Sequence, residues 1–297
     1  MGLLAMASAR SPGLTTSALV LAMMWPRKVL LAELDPDGGT IGAARAVATD
    51  PGLKTLAASG RHYLSPGLVT SNVQALYNGL SVLMSPASPD RCAAALAALN
   101  PVGLGETLRS IPGDDVIADC GRVDSSSPAL PVVHEANAVI FVVRPTLVDI
   151  VGLRGRLDTL DLSASTRAGI VVVNQGQHQV DDVAAAFTLP VVGTLEWDPR
   201  AASALHEGGR LLGRSRLTQS AERLAAELAS QLVLEGDSAR TEPSPMPAAS
   251  PGTEQDRSEE ASSGPLSPPA TSMPSPTWTQ PGQAIGDEGV AGWEAAL

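Results

Sequence analysis

The stretch LLAMASARSPGLTTSALVLAMM, residues 3–24, runs from one apolar segment through a short polar turn into another. Arg10, Ser11, Pro12 and Gly13 form this interruption, leaving about eight apolar residues before it and about ten after it, whereas a membrane span needs roughly 20. The stretch therefore predicts a buried strand, a tight turn and a helix rather than an export signal or membrane anchor.

Short apolar runs continue along the chain and alternate with helical patterns. Runs such as Ala138–Val143 are apolar without alternation, as expected when helices cover both faces of a strand. The pattern predicts an α/β fold, with a doubly wound, mostly parallel sheet of about seven strands and helices on both faces. The predicted strands are Leu3–Ala9, Val29–Leu34, Leu80–Met84, Val116–Ala118, Ala138–Val143, Gly169–Val173 and Val191–Leu195.

The composition changes near Asp237. The chain has 297 residues and a net charge of −11, and from Asp237 onward Pro, Ser, Thr, Glu and Gly dominate. So few apolar side chains cannot offset the entropy of ordering the backbone. We therefore expect a folded domain over residues 1–236, closed by an apolar-striped helix at Thr218–Val233, and a disordered acidic tail over residues 237–297.

Composition also limits the partners and the kinds of site. An acidic chain with only 3% aromatic residues is poorly suited to binding nucleic acid by base stacking. Cys92 and Cys120 are too far apart for metal-ligand spacing and indicate free thiols in a reducing cytoplasm.

Polar residues follow several of the predicted strands. Gly13 precedes Thr15 and Thr16 at the start of a helix, which is a weak signal for phosphate binding because a capped turn looks the same. Asp35 ends the second strand, and Asp119 ends the strand that starts at Val116. Ligands of doubly wound sheets bind outside the carboxyl ends of the strands.

Taken in order, these motifs resemble the MinD/ParA family of P-loop ATPases over roughly Gly2–Leu232. The resemblance rests on five segments that follow one another in family order. They are the Gly-x-Thr-Thr turn, Glu-Leu-Asp-Pro-x-Gly after the second strand, Val-Ile-x-Asp, Val-Val-Asn, and Pro-Val-x-Gly followed by Asp-Pro-Arg.

The resemblance implies ATP or ADP and Mg²⁺ as ligands. Gly13, Thr15 and Thr16 would meet the phosphates, and Thr15 would bind the metal. Asp119 would hold the metal through water, and Asp35 would orient the attacking water, in keeping with chemistry that needs charge neutralisation and an in-line nucleophile.

Three further positions are implied as nucleotide contacts. Asn174 would meet the adenine, and Gly121 and Asp198 would also lie at the nucleotide.

Both lysines of the family's P-loop are replaced here. Ala9 and Leu14 occupy their positions, and the adjacent Arg10 is a candidate substitute because a guanidinium can grip phosphate. A transition-state cation is worth about 10³–10⁵ in rate. We therefore expect nucleotide binding with weak or absent hydrolysis.

The histidines and arginines outside these motifs favour ordinary surface roles. His62, His134, His178 and His206 have no ligand-spaced partner in sequence. A set of arginines near the last helix favours a solvated face over DNA phosphate contact, although the family resemblance keeps DNA open. The set comprises Arg200, Arg210, Arg214, Arg216 and Arg223.

The leading function is a cytoplasmic MinD/ParA-like protein for intracellular positioning or chromosome and plasmid partitioning. It would form a nucleotide-dependent homodimer, recruit a protein partner through its tail and not insert into a membrane. The alternative is a pseudo-ATPase scaffold of a polar secretion or pilus-assembly machine. A dinucleotide-binding dehydrogenase is disfavoured, because the first turn has one glycine where the fingerprint needs three.

The composition break predicts a domain boundary. Limited proteolysis of the full chain should leave a stable core that ends near residue 236, because protease-sensitive sites concentrate in segments without packing. Mass spectrometry of the resistant fragment measures the boundary, and a core that extends well past residue 250 would contradict it.

Overall fold

Strands and helices alternate throughout the part of the chain that the computed structural model describes. It covers residues 2–10, 13–76, 79–162, 167–207 and 215–238, with the side chains of the last helix described as far as residue 232. Residues 239–297, nearly all of the predicted acidic tail, lie outside this description. The predicted tail is therefore left as an expectation.

The described residues form eight strands. Their bounds are β1 Leu3–Ser8, β2 Val29–Glu33, β3 Gln74–Ala75, β4 Ser81–Leu83, β5 Asp115–Arg122, β6 Ala138–Val143, β7 Arg167–Asn174 and β8 Val191–Glu196.

Eleven α-helices connect these strands within the described ranges. They are α1 Leu14–Met23, α2 Ile41–Ala44, α3 Leu53–Gly60, α4 Pro66–Ser71, α5 Pro89–Leu99, α6 Leu104–Arg109, α7 Leu130–Glu135, α8 Leu147–Leu157, α9 Val180–Ala186, α10 Pro199–His206 and α11 Arg216–Ser238. None of them is both long and apolar enough to cross a membrane.

The strands form a single sheet in the order β3-β4-β2-β5-β1-β6-β7-β8. Every pairing is parallel except that of β3 with β4. The predicted doubly wound, mostly parallel architecture is confirmed. Because β1 lies between β5 and β6, the turns that follow these three strands meet at one edge of the sheet.

Alternating side chains of the strands build a core on each face of the sheet. Leu3 of β1 packs toward the layer that contains α3, α5, α6, α7, α8 and α9. Leu4 and Met6 pack toward α1, α10 and α11. This division explains why the central strands are apolar on both faces.

The N-terminal stretch and the last helix fold as predicted. β1 and α1 both lie within residues 3–24, and α1 is apolar on nearly all sides because it packs between the sheet and α11. The stripe along α11 is buried in the same core and consists of Ala221, Leu224, Ala225, Leu228 and Leu232.

Three strand predictions need correction. The eighth strand, β3, has two residues and no apolar run, so its pairing with β4 leaves no mark in the sequence pattern. β4 is shorter than predicted. β5 is longer and continues past Asp119 to Arg122, although Gly121 has a left-handed backbone with φ of 65°.

A buried carboxylate ties the start of β5 to the residue before β1 and to the segment between α1 and β2. Asp115 is 1% exposed and accepts hydrogen bonds from Trp25 Nε1 and Arg27 Nε, both at 2.8 Å. The Gly2 amide donates to the same carboxylate at 3.2 Å. Removing the carboxylate would leave several buried donors without an acceptor.

We expect Asp115→Ala to lower the free energy of unfolding by about 3 kcal/mol, since a buried charge network loses its centre. Urea denaturation measures the change. Asp50→Ala is the matched control, because its ion pair with Lys54 is solvent-exposed and should change stability by less than about 1 kcal/mol. Equal small effects for the two variants would contradict the assigned role of Asp115.

Candidate functional site

Gly13 and the start of α1 present backbone N–H groups near the carboxyl end of β1. Gly13 is the residue before α1 and has a left-handed backbone with φ of 75°. The space around it is open, so the backbone conformation rather than crowding requires glycine. The first N–H groups of a helix have no partners within it and favour an anion. Ser11 and Pro12 lie outside the described residues.

The two positions that carry lysine in the resembled family are buried and uncharged here. Leu14 is 2% exposed and Ala9 is 5% exposed. Leu14 packs in the core on the α1 side of the sheet, together with Met6. Neither position brings positive charge to the turn.

Asp119 ends the apolar part of β5 beside this turn. It is fully buried, and its Oδ1 accepts a hydrogen bond from the Gly121 amide at 3.2 Å. Its Oδ2 is buried and has no hydrogen-bond partner among the described residues. Burial raises the pKa of Asp119 to about 7, and the nearby Thr15 side chain has a smaller, lowering effect.

Two further carboxylates lie at the same edge. Glu33 of β2 is the register partner of Asp119, and Asp35 follows it by two residues. Burial raises the pKa of both Glu33 and Asp35, and the charges of these two groups also raise the pKa of Asp119. The edge therefore concentrates negative charge in a poorly solvated place.

Glu33 is held by backbone donors. Its Oε1 accepts from the amides of Thr40 at 2.6 Å and Ile41 at 3.0 Å, and its Oε2 accepts from Ser85 at 3.0 Å. These bonds fix the loop after β2 against β4, so Glu33 has a structural task that the sequence pattern did not reveal.

Asp35 lies against the unusual backbone of β5. A side chain at Gly121 would overlap the Asp35 carboxylate, so this glycine allows the close approach of the two strand ends. Asp37 is more exposed and pairs with Arg122. The structure thus separates the two aspartates: Asp35 faces the buried edge, and Asp37 faces solvent.

These features fit a divalent cation with few protein ligands. The unpaired Oδ2 of Asp119 and the nearby Thr15 hydroxyl are oxygen donors of the kind that Mg²⁺ prefers. Among the described residues, no group of three His, Cys, Asp or Glu side chains could hold a metal. Such a site suits Mg²⁺ bound through one or two protein oxygens, water and substrate phosphates.

A cavity of about 200 Å³ opens beside the turn. Gly13, Thr16 and Ser17 line one side, and the ends of β7 and β8 line the other. Trp197 contributes an aromatic side chain that is 43% exposed, and Arg144 contributes a guanidinium. No sequence motif marks these last two residues, because each simply follows an apolar strand without a recognised pattern.

Asn174 ends β7 and Asp198 follows β8, and each has a structural partner of its own. The Asn174 amide donates to Glu196 at 3.3 Å. Asp198 lines the cavity and caps α10 by accepting from the Ala201 amide at 3.0 Å. Of these two predicted nucleotide contacts, Asp198 therefore borders the cavity, whereas Asn174 is not among the described residues that line it.

His206 has a more specific place than a surface histidine. Its Nε2 is 2.7 Å from Thr16 Oγ1, and burial together with the nearby charge of Arg45 lowers its pKa. Arg45 in turn donates to the carbonyl of Leu205. The end of α10 therefore contacts the first turn of α1 at Thr16, a residue expected to meet phosphate.

Arg10 points toward α8. Its Nε is 3.7 Å from Asp149 Oδ1, and its side chain is 56% exposed. It does not belong to the described residues that line the cavity.

The raised pKa of Asp119 gives a testable pH dependence. The folded chain holds the Asp119 proton more tightly than the unfolded chain does, because the pKa is about 7 in the folded state and about 4 in the unfolded state. The stability that the bound proton contributes is therefore lost as the pH rises from about 4 toward about 7. Raising the pH from 5.5 to 8.5 should therefore increase the free energy of unfolding of Asp119→Asn by about 1–2 kcal/mol relative to that of the unsubstituted chain. Urea denaturation without nucleotide measures it, and a difference that stays constant with pH would contradict the shift.

The fold was compared with solved structures. A ParA family ATPase from Chlorobium tepidum TLS is 15% identical with a TM-score of 0.60, and the alignment covers 76% of this chain and 98% of that one. MinD complexed with Mg-ADP from Pyrococcus horikoshii OT3 is 16% identical with a TM-score of 0.61, covering 78% and 98%. An ATP complex of Cyanothece McdA is 18% identical with a TM-score of 0.57, covering 77% and 96%.

The sequence itself gives no match to a protein-family model or to a curated protein. At these identities the solved structures establish the architecture alone. The chain has the fold of the MinD/ParA family of P-loop ATPases.

Proposed function

We propose that this chain is a MinD/ParA-like nucleotide-binding protein for intracellular positioning or for partitioning of chromosomes or plasmids. The observation that carries the proposal is the Gly13 turn beside Thr15 and the buried, half-satisfied carboxylate of Asp119. Structures of similar fold include a septum site-determining protein with Mg-ADP and a putative plasmid partition protein with AMPPNP.

In this proposal the turn binds the phosphates of ATP or ADP. Backbone N–H groups at the start of α1 and the hydroxyl of Thr16 donate to phosphate oxygens. Thr15 and Asp119 hold Mg²⁺, which supplies positive charge to the phosphates. Asp35 is the candidate to orient an attacking water, since it faces the same buried edge.

The opposite side of the cavity would hold the base. Trp197 offers an aromatic face and Asp198 a polar group at the cavity, and Asn174 lies at the end of β7 between the cavity-lining residues Val173 and Gln175. Gly121 contributes indirectly, because its lack of a side chain lets Asp35 approach β5.

The chain should bind ATP but hydrolyse it slowly or not at all. Leu14 and Ala9 leave the turn without the two lysines of the resembled family, and Leu14 is committed to the core. Charge that develops as the phosphoryl bond breaks is then balanced by fewer groups, and this affects the rate more than ground-state affinity. We propose weak or absent ATP hydrolysis.

A second candidate is a pseudo-ATPase scaffold of a polar secretion or pilus-assembly machine that binds no nucleotide. The uncharged positions 9 and 14 favour it, because they remove the cations that P-loops use. The orphaned Asp119 oxygen favours the nucleotide-binding candidate instead. Nucleotide titration separates the two.

The proposal includes two kinds of protein partner. A nucleotide-dependent homodimer and a protein partner for residues 237–297 follow from the resemblance and the composition. DNA contact through the arginines near α11 has less support, since Arg210 and Arg214 lie outside the described residues and the chain is acidic overall.

Thr15→Ala tests the site. It removes a proposed metal ligand, so the affinity for ATP with Mg²⁺ should fall about ten-fold or more, with little change when EDTA replaces Mg²⁺. Isothermal titration calorimetry measures both affinities. Thr70→Ala, on the surface of α4, is the matched control. Unchanged ATP affinity in Thr15→Ala would place the nucleotide elsewhere.

A further inference from the structure

A phosphate site without P-loop lysines needs positive charge from another part of the fold. Among the described residues that line the cavity beside Gly13, Arg144 carries the only formal positive charge. Glu196 and Asp198 also line it, but they lie on the β8 side, where they are engaged by Asn174 and the Ala201 amide.

The backbone brings Arg144 to the right edge. It directly follows β6, which is the parallel neighbour of β1. Because β1 leads into the Gly13 turn, the residue after β6 reaches the same cavity as Gly13, Thr16 and Ser17.

A buried carboxylate orients the guanidinium. Asp149 is 2% exposed and accepts from Arg144 Nε at 2.7 Å and Nη2 at 3.4 Å. Asp149 is itself fixed in the first turn of α8, where its amide donates to the Thr146 hydroxyl at 3.3 Å. Since Asp149 engages two of the three nitrogens, Nη1 remains without a hydrogen-bond partner among the described residues.

Asp149 and the two arginines beside it, Arg10 and Arg144, together carry a net positive charge. Arg10 approaches the same Asp149 carboxylate at 3.7 Å from the solvent side, so two guanidiniums share one carboxylate. Asp149 holds the pKa of Arg144 above its usual range, and the side chain stays charged. Arg144 is also the less exposed of the two arginines, at 35% against 56%.

We propose that Arg144 is a phosphate-binding residue, which supplies from the end of β6 the positive charge that positions 9 and 14 lack. The assignment rests on the proposed nucleotide site. Asp149 is the positioning residue that orients the guanidinium, and Arg10 neutralises Asp149 rather than contacting the ligand. A guanidinium held in this way can donate to phosphate oxygens without losing side-chain freedom on binding.

Calorimetric titration of ADP with Mg²⁺, and of adenosine, tests the assignment in the full chain. Arg144→Ala should weaken ADP binding about 10- to 100-fold, as expected for loss of a hydrogen bond to a charged group. Adenosine has no phosphate, so its affinity should stay within about three-fold of that of the unsubstituted chain. Arg154→Ala, an exposed arginine in the last turn of α8, is the control and should leave both affinities unchanged.

Each other outcome has a distinct meaning. An equal loss of ADP and adenosine affinity, or no loss of either, would overturn the role of Arg144 while leaving the nucleotide site standing. If the unsubstituted chain binds neither ligand, the proposed function fails as well.

A second variant keeps the test decisive if Arg144→Ala does not fold, which its melting curve would show. Arg144→Lys retains an ion pair with Asp149 but loses the forked geometry, so it should weaken ADP binding and spare adenosine. Full ADP affinity in Arg144→Lys would contradict a fork-shaped phosphate contact.

Discussion

The buried carboxylate of Asp119 is the group on which the candidate site depends. It is fully enclosed at the carboxyl edge of the sheet, near two more carboxylates and without an ion-pair partner among the described residues. An isolated buried charge is costly, so the free protein favours the protonated acid. A cation that arrives with a phosphate would remove this cost, and the fold already places Thr15 beside the same carboxylate.

The parallel sheet makes this arrangement from distant parts of the chain. β1, β5 and β6 lie side by side, so the turn that contains Gly13, the carboxylate of Asp119 and the guanidinium of Arg144 reach one edge. The three carboxylates whose pKa is raised lie on the β2 and β5 side, whereas the arginine that lines the cavity lies on the β6 side beside its partner Asp149. A magnesium–phosphate pair, which carries both signs of charge, matches that division.

The sequence predicts most of the architecture, because apolar runs and turn residues are local signals. Seven strands and the stripe of α11 are readable in this way, whereas the two residues of β3 have no pattern to detect. Asp35 and Asp119 are also predictable, since strand ends in a parallel sheet share an edge. Arg144 and His206 are not, because their significance depends on contacts made only in the fold. The hydrogen bond of His206 joins it to Thr16 across 190 residues.

The absence of both P-loop lysines should affect the rate of ATP hydrolysis more than the affinity for nucleotide. Backbone donors, a metal and the Arg144 guanidinium after β6 can hold a nucleotide in its ground state, but none of them replaces a cation within the turn itself.

The central claim is that Asp119 receives its counter-charge from a metal that accompanies the nucleotide. The most direct test is isothermal titration of ATP, with Mg²⁺ and with EDTA, into the unsubstituted chain and into Asp119→Asn. Mg²⁺ should strengthen binding to the unsubstituted chain and have little effect on the variant. Equal strengthening in both proteins, or no binding to the unsubstituted chain, would contradict this account.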